Sequence, residues 1–240
     1  MKRIGVFLTV LFAGFAVYSA IFSATVRYRL TLEAEVDGEL KTGSGVIEIT
    51  YSKNNDPIST AGFTTGIRGE AVVLDLGPRG TLFALLTGDK DSRSGPEYIL
   101  FRAFGFPDGA MPLPITSGLS KIRNLYGKVD LPLTSLPLLV RFRDLEDPKT
   151  VERVDPLDLE KSFGGGAKLV RAAIEIVPGG KWPVSYYGFT GEPITRGLSS
   201  KLKWLPEYYG RQFDGERTET ISSPLRFANS LASGVFKTGR

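Results

Sequence analysis

The chain has 240 residues, 42% hydrophobic and 23% charged, with 28 glycines and 15 prolines, a balance that favours short strands and turns over long helices. Its formal net charge is only +4, two units of which come from Lys2 and Arg3, so it lacks the concentrated basic face of a nucleic-acid binder and no nucleic-acid partner is expected. Cysteine and histidine are both absent, which excludes disulfides, a thiolate nucleophile and lipoprotein attachment, and removes the commonest general base and metal ligand.

In chain order, the first signal is an uncharged run. Lys2 and Arg3 precede 21 residues without a charge, Ile4 to Ala24. At 1.5 Å per residue such a run spans roughly 31 Å, close to the hydrocarbon thickness of a bilayer. The positive-inside rule places Lys2 and Arg3 in the cytoplasm and everything after Ala24 across the membrane. Two readings stay open. A signal peptide would be cut near Ser19 or Ala20. An uncleaved anchor would use the whole run, and the length favours it. The division expected is residues 1–24 as anchor or signal peptide and 25–240 as one β-rich extracytoplasmic domain.

The most legible stretch follows directly. Arg27 to Val36 alternates polar and apolar, Asp37-Gly38 interrupts, and the pattern resumes over Glu39 to Tyr51. Alternation broken by Asp-Gly is a hairpin signal, because a type I′ turn needs positive φ at both central residues. A two-residue turn there pairs Val36 with Glu39, Tyr28 with Ile47, Val26 with Ile49, and Arg27 with Glu48. The apolar residues Val26, Tyr28, Leu30, Leu32, Ala34, Val36, Ile47, Ile49 and Tyr51 then share one face, which a one-residue slip would scatter. Gly43 and Gly45 fall opposite Leu32 and Leu30 and leave a groove for another element. Arg27–Glu48 is read as an exposed pair contributing a few tenths of a kcal/mol.

Beyond the hairpin, Lys53 to Gly66 reads as a loop. A second hairpin is expected over Glu70 to Thr87, joined by Gly77-Pro78-Arg79-Gly80 and buried on both faces at the centre of a sheet. Tyr98 to Phe104 is predicted as a strand. Ser117 to Gly127 is predicted as a short helix with Leu119, Ile122, Leu125 and Tyr126 on one face, Ser117 as cap and Gly127 as terminator. Leu138 to Arg143 and Thr150 to Val154 are expected to pair across Asp147-Pro148-Lys149. Asp155 and Pro156 suggest a helix start, with Asp158 three residues on. Ala167 to Val177 is a strand with Val170, Ala172, Ile174 and Ile176 inward. Pro193 to Pro206 is predicted as a helix carrying Ile194, Leu198, Leu202 and Leu205, and the tail from Pro224 has a weak helical period.

Several of these segments, among them Arg27-Tyr-Arg-Leu-Thr-Leu-Glu, Gly69-Glu-Ala-Val-Val-Leu-Asp-Leu-Gly, Leu139-Val-Arg-Phe-Arg-Asp and Ile194-Thr-Arg-Gly-Leu, resemble a group of uncharacterised envelope proteins of Gram-negative bacteria. The resemblance implies an envelope location. It brings no activity, cofactor or catalytic residue.

The constellations that touch on chemistry all have plainer accounts. Ser200-Lys-Leu-Lys203 and Lys237-Thr-Gly239 match two motifs of penicillin-interacting enzymes. They lie too close together, no Ser-Asp-Asn intervenes, and no strand is expected so near the end of the chain. Gly164-Gly165-Gly166-Ala-Lys168 lies between a helix and a strand, the reverse of a phosphate loop, and reads as helix termination. Asp89 to Gly95 has a calcium-loop flavour, but its glycine is displaced and Leu100 stands where a bidentate Glu is needed. Glu33 and Glu35 share a wet strand face, and Asp155 and Asp158 are capping residues, so no carboxylate pair is marked for glycosidase chemistry. The basic side of the Pro193–Pro206 helix, with Trp204, Tyr208 and Tyr209 after it, suits either anionic lipid or plain solvent.

No catalytic, cofactor-binding or metal-binding residue is therefore nominated, and no cofactor is expected. The fold expected is mainly β: an antiparallel sheet or sandwich of hairpins with a few short helices, after an N-terminal hydrophobic helix. The function expected is a non-catalytic binding or scaffolding module facing the periplasm. It would be held in the inner membrane through residues 4–24, or secreted after cleavage, with an envelope protein as partner. The competing expectations are an envelope-polymer hydrolase or transferase using carboxylates or Ser/Lys, and a carrier of a small ligand.

Overall fold

The computed structural model describes residues 21–54, 62–89, 95–179, 191–217 and 223–238. Residues 4–20 of the uncharged run lie outside this set, and among the described residues no helix is long and apolar enough to cross a membrane.

The first hairpin forms as its alternation requires. Strands β1 (Ser23–Val36) and β2 (Glu39–Lys53) pair antiparallel with Val36 opposite Glu39, Arg27 opposite Glu48, and Leu32 and Leu30 opposite Gly43 and Gly45. Asp37 and Gly38 take φ of 53° and 82°, the left-handed values of a type I′ turn. Six strands make the first sheet, in the order β10-β3-β2-β1-β9-β6, where β3 is Phe63–Glu70, β6 Lys128–Asp130, β9 Ala167–Val177 and β10 Lys237–Thr238. The second sheet holds four strands in the order β4-β5-β7-β8: Val72–Asp75, Thr81–Ala84, Leu139–Phe142 and Val151–Arg153. Every strand pairing among the described residues is antiparallel.

The glycines of β2 are where the sheets meet. A Cβ on Gly43 would lie 2.2 Å from the Val73 carbonyl oxygen and 2.7 Å from Leu74 Cα; one on Gly45 would lie 3.0 Å from Val72 Cγ2. The groove expected opposite Leu30 and Leu32 is filled by β4. Close backbone approach is what glycine in a strand permits. One face of β4 and β5 (Val72, Leu74, Leu82, Ala84) completes a first core with the inward side chains of β1 and β2. The opposite face, with Phe83, Val140 and Phe142, forms a second core under the C-terminal segments Leu198–Leu205, Phe213 and Leu231–Phe236.

Several local expectations are corrected. Residues 98–104 are not a strand: Pro96–Ala103 is helix α1, with Pro at its first position, Glu97 in the first turn and Ile99, Leu100 and Phe101 buried. A short apolar run bears either reading, and packing of Phe101 on Tyr51 and Phe106 decides it. Helix α2 is Ile115–Arg123, starting after Pro114 rather than at Ser117 and ending four residues before Gly127; Leu119 and Ile122 are buried, but Tyr126 has left the helix and is 86% exposed. Helix α3 is Glu160–Phe163, later than the Asp155-Pro156 start. Asp155 instead closes a turn by accepting from Leu157 N, and Asp158 accepts from Lys161 N at the start of α3. The predicted Pro193–Pro206 helix shrinks to one turn, α4 (Leu198–Lys201), because Gly197 enters at φ 120° and Leu202 leaves helical geometry. Ahead of it Thr195 exchanges hydrogen bonds with Val46, filling the side of β2 that β3 leaves open. Among the described residues of the tail Arg226–Asn229 is α-helical (α5) and Ser233–Val235 is a 3-10 turn.

The loop expected over Lys53 to Gly66 ends in strand instead: Phe63–Gly66 is the first half of β3, polar in composition and exposed at Thr64, Thr65 and Gly66. Val170 is 41% exposed, whereas Ala167 and Leu169 are buried. A β-bulge opposite Glu33 and Ala34 places two residues against one and flips the face there. Strand β4 is an edge of its sheet, buried because it lies on β2. Gly164 and Gly166, at φ 90° and 84°, do end a helix, and Gly166 O accepts from Asp37 N across the hairpin turn.

Candidate functional site

At Arg27 and Glu48 the outer face of β1 and β2 is not the wet surface the alternation implied, although Thr25, Glu35, Thr42 and Ser44 on the same face are exposed. Arg27 is 1% exposed and Glu48 5%. Glu48 is gripped between two guanidinium groups: Arg27 donates from Nε at 3.1 Å and Nη2 at 2.6 Å to Oε2, and Arg68 Nη1 donates at 2.8 Å to Oε1. Arg27 Nη1 also donates to the Glu192 carbonyl, so the segment entering the C-terminal layer lies over this pair. A few tenths of a kcal/mol is thus the wrong scale. In a low-dielectric setting, removing one member leaves a charge uncompensated and costs about 3–5 kcal/mol. The network sets two guanidinium groups against one carboxylate, with Arg27 held further by the Glu192 carbonyl.

A cleft of about 540 Å³ opens on the C-terminal layer, lined by Ser199, Leu205, Pro206, Tyr209, Lys237 and Thr238 with the 233–234 turn. That volume is within the range of small-ligand sites. Three elements build it. Helix α4 brings Ser199, the 3-10 turn Leu205–Tyr208 brings an apolar wall, and β10 brings Lys237 and Thr238. β10 is held in place by Ala71 N to Phe236 O and Leu86 N to Val235 O, both 2.7 Å, and by Thr238 Oγ1 donating to Ile67 O. Lys237 pairs across the ladder with Glu70.

Beneath the cleft sits Glu70, 3% exposed. Its Oε2 accepts from Leu198 N at 2.7 Å, which fixes the start of α4. Its Oε1 is 3.1 Å from Lys237 Nζ, an ion pair whose alignment falls short of a hydrogen bond. An ammonium has three N–H donors. Lys237 directs its charge at Glu70 and retains donors for an oxygen arriving in the cleft. Tyr209 stands at the mouth, 78% exposed.

Ser200 is exposed and donates to Gly197 O within its own turn. Lys203 lies past the end of α4, so Ser200 and Lys203 do not share a helical face. Lys237, by contrast, lies in a strand despite its place near the end of the chain, and the cleft pairs it with Ser199 rather than Ser200. Glu33 is half-buried against Arg171 and Glu35 is exposed, so they form no convergent pair. Asp89 pairs with Arg153, and Leu100 is a buried residue of α1. Among the described residues no three potential ligands cluster to hold a metal.

The amphipathic helix on which the lipid-or-solvent reading of the Pro193–Pro206 segment rested does not form. Trp204 is buried in the second core, donating to Leu145 O, and Lys201 is paired with Asp75 at 2.6 Å. Asp75 adjoins Leu74, which packs on Gly43 opposite Leu32. That level is nine residues along β1 from Ser23, roughly 30 Å at 3.3 Å per residue.

Nothing local marks Ser199. In the sequence Tyr209 reads only as an aromatic beside a basic helix, Glu70 only as the start of a hairpin, and Lys237-Thr238 only as half of a motif pair excluded by spacing, by the missing Ser-Asp-Asn and by position. No family model, no curated protein and no solved structure matches this chain, so its functional reading rests on the geometry of this cleft.

Proposed function

We propose that this protein is a non-catalytic binding module of the cell envelope, a sandwich-like domain of residues 25–240 on the periplasmic side of the inner membrane, tethered by a hydrophobic helix over residues 4–24. The cleft of Ser199, Leu205, Pro206, Tyr209 and Lys237 holds an apolar segment of an envelope partner protein, with Lys237, Ser199 and Thr238 taking backbone or carboxylate oxygens. The observation that carries this reading is an open apolar cleft whose cation, Lys237, lies over a buried carboxylate. An ammonium held beside Glu70 keeps N–H donors for an oxygen of the partner. A photo-crosslinking residue at position 209, activated in intact cells, is expected to capture one envelope protein, and capture is lost when Pro206→Arg is added. Undiminished capture in that variant overturns the reading.

The second reading, a hydrolase or transferase, is favoured by one observation: Ser199 and Lys237 line the same cleft. It predicts that a fluorophosphonate probe labels the protein and that Ser199→Ala abolishes the labelling. The binding module predicts no labelling of either protein.

A further inference from the structure

Helix α2 lies across the end of the first sheet from which the uncharged run departs. At its C-terminal end, Arg123 donates from Nη2 to Ile21 O at 2.9 Å and from Nε to Ser23 O at 3.2 Å. At its N-terminal end, a Cβ on Gly62 would sit 3.0 Å from Ile115 Cδ1, beside the start of β3. Gly118, Leu119 and Ile122 face the core, while Ser117, Ser120, Lys121 and Asn124 face outward. The two most exposed large apolar side chains among the described residues, Tyr126 at 86% and Leu113 at 81%, bracket this helix.

Charge points the same way. Between Asp108 and Asp130 the chain has no carboxylate but carries Lys121, Arg123 and Lys128. Lys53, at the end of β2, sits 5.1 Å from the Phe22 ring centroid, beside the departing run. Lys53, Lys121 and Lys128 make no ion pair among the described residues. Single exposed apolar residues are ordinary. Exposed aromatic and aliphatic side chains beside unpaired cations, at the end nearest a hydrophobic run, are what an interface between water and anionic headgroups selects.

We propose that this basal face, with Leu113, Lys121 and Tyr126 on α2 and its flanks and Lys53 alongside, rests on anionic phospholipid. The proposal rests on the tethered reading above. It deepens that reading by giving the domain a fixed orientation on the bilayer. The apolar side chains enter the headgroup layer, and the lysines exchange water for phosphate oxygens.

The absence of cysteine from the sequence makes the test clean. The full chain carrying Tyr126→Cys, or Tyr209→Cys as control, is labelled with an environment-sensitive fluorophore and reconstituted into nanodiscs of phosphatidylcholine with or without phosphatidylglycerol. The expected result is a blue-shifted label at 126, shielded from iodide only in phosphatidylglycerol discs and released by high salt, with 209 open to quencher throughout. Lys121→Gln and Lys53→Gln each lower the docked-to-undocked ratio about fivefold. Unchanged melting of these variants excludes misfolding as the cause. Equal quenching at 126 and 209 overturns the proposal. So does shielding of 126 in native membranes but not in phosphatidylglycerol discs, which assigns the face to a protein. Carbonate extraction reads the tether separately. A chain that washes off, yet shows a shielded 126 when phosphatidylglycerol vesicles are added, loses the tether and keeps the footprint.

Discussion

The two cores are built from the same kinds of side chain by opposite routes. The first is assembled from neighbours in sequence: the even-numbered residues of β1 from Ala24 to Val36 all point inward, and Tyr28, Leu30, Leu32 and Ala34 are fully buried. The second gathers Phe83, Phe142, Trp204, Phe213 and Phe236 from across the chain into ring contacts of 5.1–6.2 Å, mostly edge-on or tilted. Alternation on paired strands sets the first core, since the period of two leaves little choice of register. The second has no period to set it. It depends on the C-terminal segments returning to cover the outer face of β5 and β7, and the candidate cleft lies within that returning layer. The periodic core makes the scaffold; the irregular one makes the site.

The contrast can be broken from either side. The largest effect is expected at the charge network joining the hairpin to the covering layer. Glu48→Ala leaves Arg27 and Arg68 facing each other under the 192 segment, and a loss of about 3–5 kcal/mol is expected from urea unfolding. A loss under 1 kcal/mol would mean the pair is as solvated as the sequence suggested.

Trp204→Ala should cost about 3–5 kcal/mol by cavity formation. It should do so unevenly, with limited proteolysis cutting the 194–238 layer before β1 or β2 is touched. Simultaneous cleavage of both would show that the two cores unfold as one.

A smaller effect is expected where the sheets meet. Gly43→Ala forces a methyl group against the backbone at Val73 and Leu74 and should cost about 1–3 kcal/mol. Gly45→Ala meets only Val72 Cγ2, a side chain able to give way, and should cost visibly less. Equal costs would refute β4 as a rigid contact.

The smallest effect is electrostatic. Burial raises the Glu97 carboxyl above its usual value, its own backbone N–H opposing this. A carboxyl harder to ionise when folded supports stability fully below its unfolded pKa, and that support is lost as pH rises through the folded value. Glu97→Gln should therefore raise the melting midpoint slightly at neutral pH, with the gain fading towards about pH 4. A gain independent of pH would place its origin outside the ionisation.

What the sequence determined by itself was whatever depends on near neighbours. Alternation with Asp37-Gly38 settled the first hairpin to the residue, Gly43 and Gly45 announced a close approach, and Gly164–Gly166 ended a helix. What the tertiary structure decided was whatever depends on which surface ends up covered. Residues 98–104 turned helical on Tyr51, the Pro193–Pro206 segment gave up its helix to bond β2 at Val46, and Val170 faced outward at a bulge set by β1. Arg27 and Glu48 passed from a wet face to a buried one because a segment more than 140 residues later lies over them. The cleft of Ser199, Tyr209 and Lys237 belongs to this second class. Its walls come from three separated segments of the C-terminal layer, and no local pattern records that long-range packing will bring them together.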